Sequence, residues 1–518
     1  MKAPRRPHPN PSPASGRGAF FLRELSVSAM TDLPRLSDAT LAALPPGVAA
    51  PAYDRTATRI GIVHFGPGAF HRAHQAAYID TLLADEPDWA ISAVSLHSTE
   101  VRDALRPQDG LYALALLGEH TRLRVIGAIR EVLCARDEQA AVLARLADPG
   151  VRLVTLTITE KGYCLAGDGL DFAHPDIVHD LAAPDAPRSA IGHLVAGLRA
   201  RRRLGLKPYT VLSCDNLPDN GGKLRRATLQ YAQRIDPALA AWIEAEATFP
   251  RSMVDSITPA SDDALRERVS AQFGMRDAWP VQRETYTQWV VEDAFCNGRP
   301  ALERAGVVLS GDIAGYDRAK LRLLNGPHST LAYLGSLLGL ETVADAMRHP
   351  QLSAFVETLM REDIAPTLPA MPGFDPQAYA GAILDRFRNP AIRHLLSQIA
   401  WDGSQKLPVR ILATLCDALA IGHRIDRLCL PVAAWMQFVR RQVHNGVALV
   451  DPLAEALGRI ARSATGDAAH DVEAFMALDA VFGPVSGDAR FVDALRAAYA
   501  ALAEPAVALG RIAVPSGE

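Results

Sequence analysis

The chain has 518 residues, 49% hydrophobic, 22% charged and 6% aromatic. This is ordinary globular composition in a chain long enough for two or more domains. With 54 Lys and Arg against 58 Asp and Glu the formal charge is −4, so no basic excess points to nucleic acid and no acidic run to a solvating tail. No uninterrupted apolar stretch reaches the ~20 residues a membrane helix needs, so no membrane partner is expected. Six scattered cysteines without a CxxC pair suit a reduced, cytoplasmic protein better than a disulfide or zinc framework.

Residues 1–29 differ from the rest. They hold five Pro and five Lys or Arg against the single acid Glu24. Such a segment is expected to be disordered, as a leader or as an over-extended start before Met30. Its prolines oppose the amphipathic helix of a targeting peptide.

Beyond it, Arg59–Phe65 is a short Ile- and Val-rich run that predicts a buried parallel strand. Gly66-Pro67-Gly68-Ala69-Phe70-His71 follows, and Arg72–Asp85 has helical spacing. Further strands are predicted at Trp89–Leu96, Val151–Thr159 and Tyr209–Asn216, with helices at Gln139–Leu146 and Ser189–Arg203. Strands alternating with helices predict an α/β fold, a mostly parallel Rossmann-type sheet covered on both faces. After about residue 310, helical patterns dominate: Thr330–Leu340, Pro350–Glu362, Ala433–Val443, Val472–Phe482 and Arg490–Leu502. The expected division is therefore a leader (1–29), a nucleotide-binding domain (30–310) and a mainly α-helical C-terminal domain (311–518).

Gly66-x-Gly68 between a strand and a helix has the context of a dinucleotide loop, where backbone amides at a helix start meet a pyrophosphate. His71 replaces the third glycine of the usual fingerprint. Glu100 beyond the second predicted strand is placed to bond ribose hydroxyls, which favours NAD over its 2′-phosphorylated form, with Arg102 close by as a counter-signal. His64, His71 and His74 lack a completing Cys or carboxylate, so packing and ribose or phosphate contacts explain them better than zinc, and His71 is expected among the cofactor contacts.

The segment Lys320-Leu-Arg-Leu-Leu-Asn325-Gly-Pro-His328 carries the most chemistry. At ~100° per residue, Asn325 and His328 lie about 140° and 80° from Lys320, on one broad helical face. Pro327 leaves open a second geometry, a helix ending near Asn325 and another starting at the proline. A desolvated lysine can act as base for a secondary alcohol. Amide donors such as Asn325 and Asn216, the latter at the end of a predicted strand, can stabilise the alkoxide. A solvated Lys, turn asparagines and a core His are the plain structural alternative. A methyltransferase would share the glycine loop and the acid but leave these residues unused. A catalytically silent NAD-binding protein remains a competing class.

Taken together, HFGPGAFHRAHQA (64–76), LTITEKGYC (156–164), SCDNLPDNG (213–221), FPRSMVDSITP (249–259), KLRLLNGPHS (320–329) and DGSQKLP (402–408) resemble the polyol-specific long-chain dehydrogenase/reductases. That group includes mannitol 2-dehydrogenases and fructuronate reductases (D-mannonate oxidoreductases). The resemblance implies a zinc-independent, NAD(H)-dependent oxidoreductase acting in the cleft between two domains, as a monomer or small homo-oligomer. It implies Lys320 as general base, Asn216 and Asn325 as oxyanion holders, and His328 as substrate-orienting residue. Asp255 would line the pocket, Asp317 would help proton exchange, and Phe70, Thr159 and Glu160 would join the cofactor contacts. Within the group, mannitol 2-dehydrogenases place an arginine eight residues before the DGS(x)K lysine, where this chain has Gln398 before Lys406. The expected substrate is a sugar acid, D-fructuronate/D-mannonate, whose carboxylate Lys406 or Arg410 would pair with. A plain polyol such as mannitol or arabinitol is the alternative.

Overall fold

The computed structural model describes residues 33–512, so the leader 1–29 lies outside the described residues. Thirteen strands occur among them. In chain order they are β1 (Ile60–Phe65), β2 (Ala90–Ser95), β3 (Tyr112–Leu117), β4 (Arg122–Ile126), β5 (Ile129–Cys134), β6 (Leu153–Leu156), β7 (Leu165–Ala166), β8 (Gly169–Leu170), β9 (Thr210–Ser213), β10 (Ser252–Asp255), β11 (Val281–Glu284), β12 (Gln288–Val291) and β13 (Val308–Leu309). The main sheet runs β5-β2-β1-β6-β9, every pair parallel. Its central strands are apolar on both faces, because helices cover both sides. One face packs on the helices Ala135–Ala147 and Ala190–Arg203, the other on Ala69–Ala73 and Gln75–Leu82. The strand order reverses at β1/β6, and ligands of such sheets bind beyond the strand ends at that point.

Nine of these strands are not among the four that the sequence predicts, and three of them, β3, β4 and β5, lie where the sequence indicates only a connection. β5 extends the main sheet, while β3 and β4 pair with β11 in a second, mixed sheet. A third small sheet, β10-β12-β13, stands before the helical region. The predicted helix Arg72–Asp85 is two helices broken at His74 (φ −115°, ψ −88°).

From Ile313 onward the described chain is helical and shares one large core. The segment with the lysine resolves the question Pro327 raised. The helix Ile313–Ala319 passes without a break through a wide turn, Lys320–Asn325, into the helix Gly326–Leu337. The Gly326 N–H reaches back five residues to the Leu321 carbonyl. That is π-type bonding, whose extra residue accommodates a proline lacking a donor. A second such turn, Pro408–Leu412, packs against the first. A Cβ on Gly326 would stand 2.9 Å from the Arg410 carbonyl oxygen, so only glycine allows this approach. Val472–Phe482 is two helices, Ala468–Met476 and Asp479–Phe482.

Candidate active site

The ends of β9 and β10 and the wide turn Lys320–Asn325 enclose a small cleft, lined among others by Asn216, Ser252, Val254, Asp317, Lys320 and Asn325. Lys320 is 9% exposed. Its Nζ donates to Asn216 Oδ1 at 2.9 Å and to the Val254 carbonyl at 2.7 Å. An amine nitrogen offers three such positions, so one remains for a substrate hydroxyl. Burial lowers its pKa from the usual lysine range; Asp255 and Asp317 oppose that shift, and Arg386 and Arg410 reinforce it. With Asn216 Oδ1 turned to the lysine, its NH2 end is free to donate. Asn325 is half-buried and its side chain bonds to no described residue.

His328 sits one turn further, its Nε2 buried without a partner among the described residues. Its ring lies 4.6 Å from Phe387 and 4.9 Å, edge-on, from His394. Burial, then the His394 and Arg386 charges, holds it well below the usual histidine pKa, hence neutral at pH 7. Asp317, one turn before Lys320, is not a surface charge but part of the cleft wall. Burial raises its pKa to about 6, against the pull of Lys320 and Arg251.

Two further cations stand nearby. Lys406 is half-buried, donates to the Ile399 carbonyl at 3.3 Å, and has its pKa lowered by burial and by Arg410. Arg410 donates from Nη1 to Ser329 Oγ at 3.2 Å, and no carboxylate pairs with it among the described residues. Gln398 is exposed on the helix Leu396–Ile399 and hydrogen-bonds to no described residue, so the structure does not tie it to the cleft.

Asp255 departs from its expected place on the pocket wall. Both its oxygens accept from the Arg386 guanidinium, at 2.6 and 3.1 Å, and its neighbours Ser252, Met253 and Val254 form the wall instead. Arg386 was not singled out in the sequence. Its signal was a lone cation among inward residues of the helix Pro376–Phe387.

At the strand ends beside β1/β6, Gly66 has φ +87°, and a Cβ there would meet the Thr157 carbonyl oxygen at 2.1 Å. Gly68 is exposed, and a Cβ there would meet nothing nearer than 3.9 Å. Gly66 thus lets the turn close on Thr157, and Gly68 leaves open space before the helix Ala69–Ala73, as a pyrophosphate at its first amides requires. Phe70, half-buried, stacks on His74 at 4.9 Å. Thr159 takes φ +62°, a strained backbone for a β-branched residue, and its N–H donates to Asp215 Oδ1 at 3.1 Å. Glu160 beside it is exposed. Glu100 is exposed at the start of the helix Glu100–Leu105, with its carboxylate unpaired among the described residues. Arg102, the counter-signal, is engaged by Asp103 and Asp137. The residues therefore fit NAD. His71 corrects its expected role: its ring is 1% exposed, stacks on His64 at 3.3 Å and turns both nitrogens inward. His64 bonds Thr155 and Thr157. Among the described residues no group of three His, Cys, Asp or Glu could hold a metal, all six cysteines are free, and no helix is long and apolar enough to cross a membrane.

The mannitol dehydrogenase Rossmann-domain model matches residues 60–304, and the mannitol dehydrogenase C-terminal-domain model matches 312–503. The chain belongs to the mannitol dehydrogenase family. It is an oxidoreductase of that family. It is 42% identical over 468 residues to D-mannonate oxidoreductase of Escherichia coli K12, covering 88% of this chain and 96% of that one. It is 39% identical to Pseudomonas fluorescens mannitol 2-dehydrogenase, solved as a ternary complex with NAD and D-mannitol, at a TM-score of 0.75 over 92% of this chain and 99% of that one. A D-sorbitol dehydrogenase, solved substrate-free, is 33% identical with a TM-score of 0.85 over 93% and 100% of the chains.

Proposed function

We propose that this mannitol dehydrogenase family member interconverts a secondary alcohol and a ketone on a sugar acid, D-mannonate and D-fructuronate, with NAD(H). NAD bound at the Gly66–Gly68 turn supplies acceptance and return of the hydride on the substrate carbon. Every other task falls to the chain. Neutral Lys320 takes the hydroxyl proton at Nζ as the carbon is oxidised, and in reduction returns it. The free amide ends of Asn216, held at its Oδ1 by Lys320, and of Asn325 donate to the oxygen as it gains charge. His328 offers Nε2 to a neighbouring hydroxyl and fixes the substrate's orientation. Asp317, with a carboxyl that titrates near pH 6, passes the proton from Lys320 toward solvent.

The observation that carries the sugar-acid reading is Arg410. A half-buried guanidinium without a carboxylate partner among the described residues is left with its charge only partly compensated. Beside Ser329 and one turn after Lys406, it suits a substrate carboxylate. Resemblance to a D-mannonate oxidoreductase over nearly its full length supports the same choice. Initial rates with NADH and fructuronate, tagaturonate or fructose test it. Fructuronate is expected to be reduced fastest, and fructose reduced far better than either uronate would overturn the reading.

A further inference from the structure

Arg386 has no part in the chemistry above, yet it is the most heavily bonded cation near the cleft. It extends from the helix Pro376–Phe387 to two strands. Nη1 and Nη2 donate to the Asp255 carboxylate at 2.6 and 3.1 Å. Nε and Nη2 donate to Glu284 at 2.9 and 2.8 Å. The three side chains are 4, 6 and 1% exposed. The Tyr286 ring lies 4.2 Å from the guanidinium carbon, and Glu284 also accepts the Ile257 N–H at 2.6 Å. Asp255 directly follows Val254, whose carbonyl holds Lys320 Nζ.

We infer that Arg386 is a positioning residue for proton transfer: its fork fixes Asp255 and the end of β10, and with them the seat of Lys320, while its charge offsets Asp255 at the lysine. The inference rests on the proposed role of Lys320 as base. The charges facing Lys320 are Asp255 on β10, Asp317 on its own helix, Arg386 on the helix Pro376–Phe387 and Arg410 on the turn Pro408–Leu412. His74, across the cleft, is held neutral by burial. Glu284 acts behind Asp255 through the shared guanidinium. With Arg386 removed, the Asp255 carboxylate is left without its counter-charge beside the lysine and favours its ammonium form. The base then stays protonated to higher pH. A clasp that only joined helix to strands would change stability and leave that titration alone.

The test is the pH profile of kcat/KM for alcohol oxidation, measured on the full chain with the best substrate of the wild type. Arg386→Gln is expected to move the acidic limb upward by about one pH unit, a tenfold loss below the limb. Arg386→Lys keeps the charge but loses the fork, so kcat falls while the limb stays. Asp255→Asn, with Arg386 intact, moves the limb downward. Unchanged limbs in both Arg386→Gln and Asp255→Asn would overturn the inference, whatever happened to melting temperature. Where Arg386→Gln does not fold, the Asp255→Asn limb decides alone. Lys320→Met separates the two levels. Retention of the wild-type limb in that variant refutes the base assignment. Its loss, with unmoved limbs in the other two, refutes only the role of Arg386.

Discussion

Replacing Arg410 with leucine isolates the group on which the sugar-acid reading depends. The substitution keeps much of the apolar stem and removes the guanidinium. A hydrogen bond to a charged acceptor contributes about 1.5–3 kcal/mol. Arg410 is only half-buried, and Lys406 stands one turn away to supply part of the attraction, which argues for the lower half of that range. At 1.4 kcal/mol per tenfold, kcat/KM for fructuronate should fall about 10- to 40-fold, mostly through KM. Fructose carries no carboxylate and should lose no more than about twofold, the level of small packing effects. The melting temperature should change little, because removing a half-buried cation without a counter-ion relieves part of a desolvation cost while the Ser329 hydroxyl loses one bond. The assay is NADH oxidation with each substrate at fixed pH. Equal losses on both substrates, or an undiminished rate on fructuronate, would refute the reasoning.

Three further outcomes follow from the same geometry. Lys320→Met should lower kcat by about 10²–10⁴-fold while NADH still binds, followed by fluorescence titration; rapid turnover would remove Lys320 as the base. Gly66→Ala should weaken NADH binding or fail to fold, since its Cβ would stand 2.1 Å from the Thr157 oxygen at φ +87°; a variant with wild-type affinity and melting temperature would contradict the described turn. Burial raises the Asp317 carboxyl to about 6 in the folded state, above the ordinary aspartate value of 3.8, so the folded state binds the extra proton. Its contribution to stability is therefore present below about pH 4 and lost as pH rises toward about 6. Asp317→Asn should remove that component, so the melting temperature of the variant relative to wild type should rise from pH 4 to pH 6. A difference independent of pH would refute the assignment.

What could be read in the sequence follows from how local each feature is. β1 and its glycine turn are legible because a strand buried on both faces is a continuous apolar run, and the turn needs a positive φ directly after it. β3, β4 and β5 carry no such mark, because no helical interval separates them from one another. The wide turn at Lys320–Asn325 departs from the 3.6-residue period by one residue, and Pro327 was its only mark. His71 misled because the glycine fingerprint says where the backbone goes but not that the ring faces His64 across the turn.

Charge is the least local property of all. Arg386 and Arg410 are both arginines in helical segments flanking the same cleft, and although the family resemblance singles out Arg410, nothing local in the sequence says which carboxylates either one meets. Folding separates them. Asp255 and Glu284, 131 and 102 residues away, saturate Arg386, whereas among the described residues no carboxylate comes to Arg410. The first cation is thereby committed to holding the machinery and the second is left for a ligand. A substrate anion is therefore argued from which cation the fold leaves unpaired, a property that neither the count of cations nor the net charge of −4 contains.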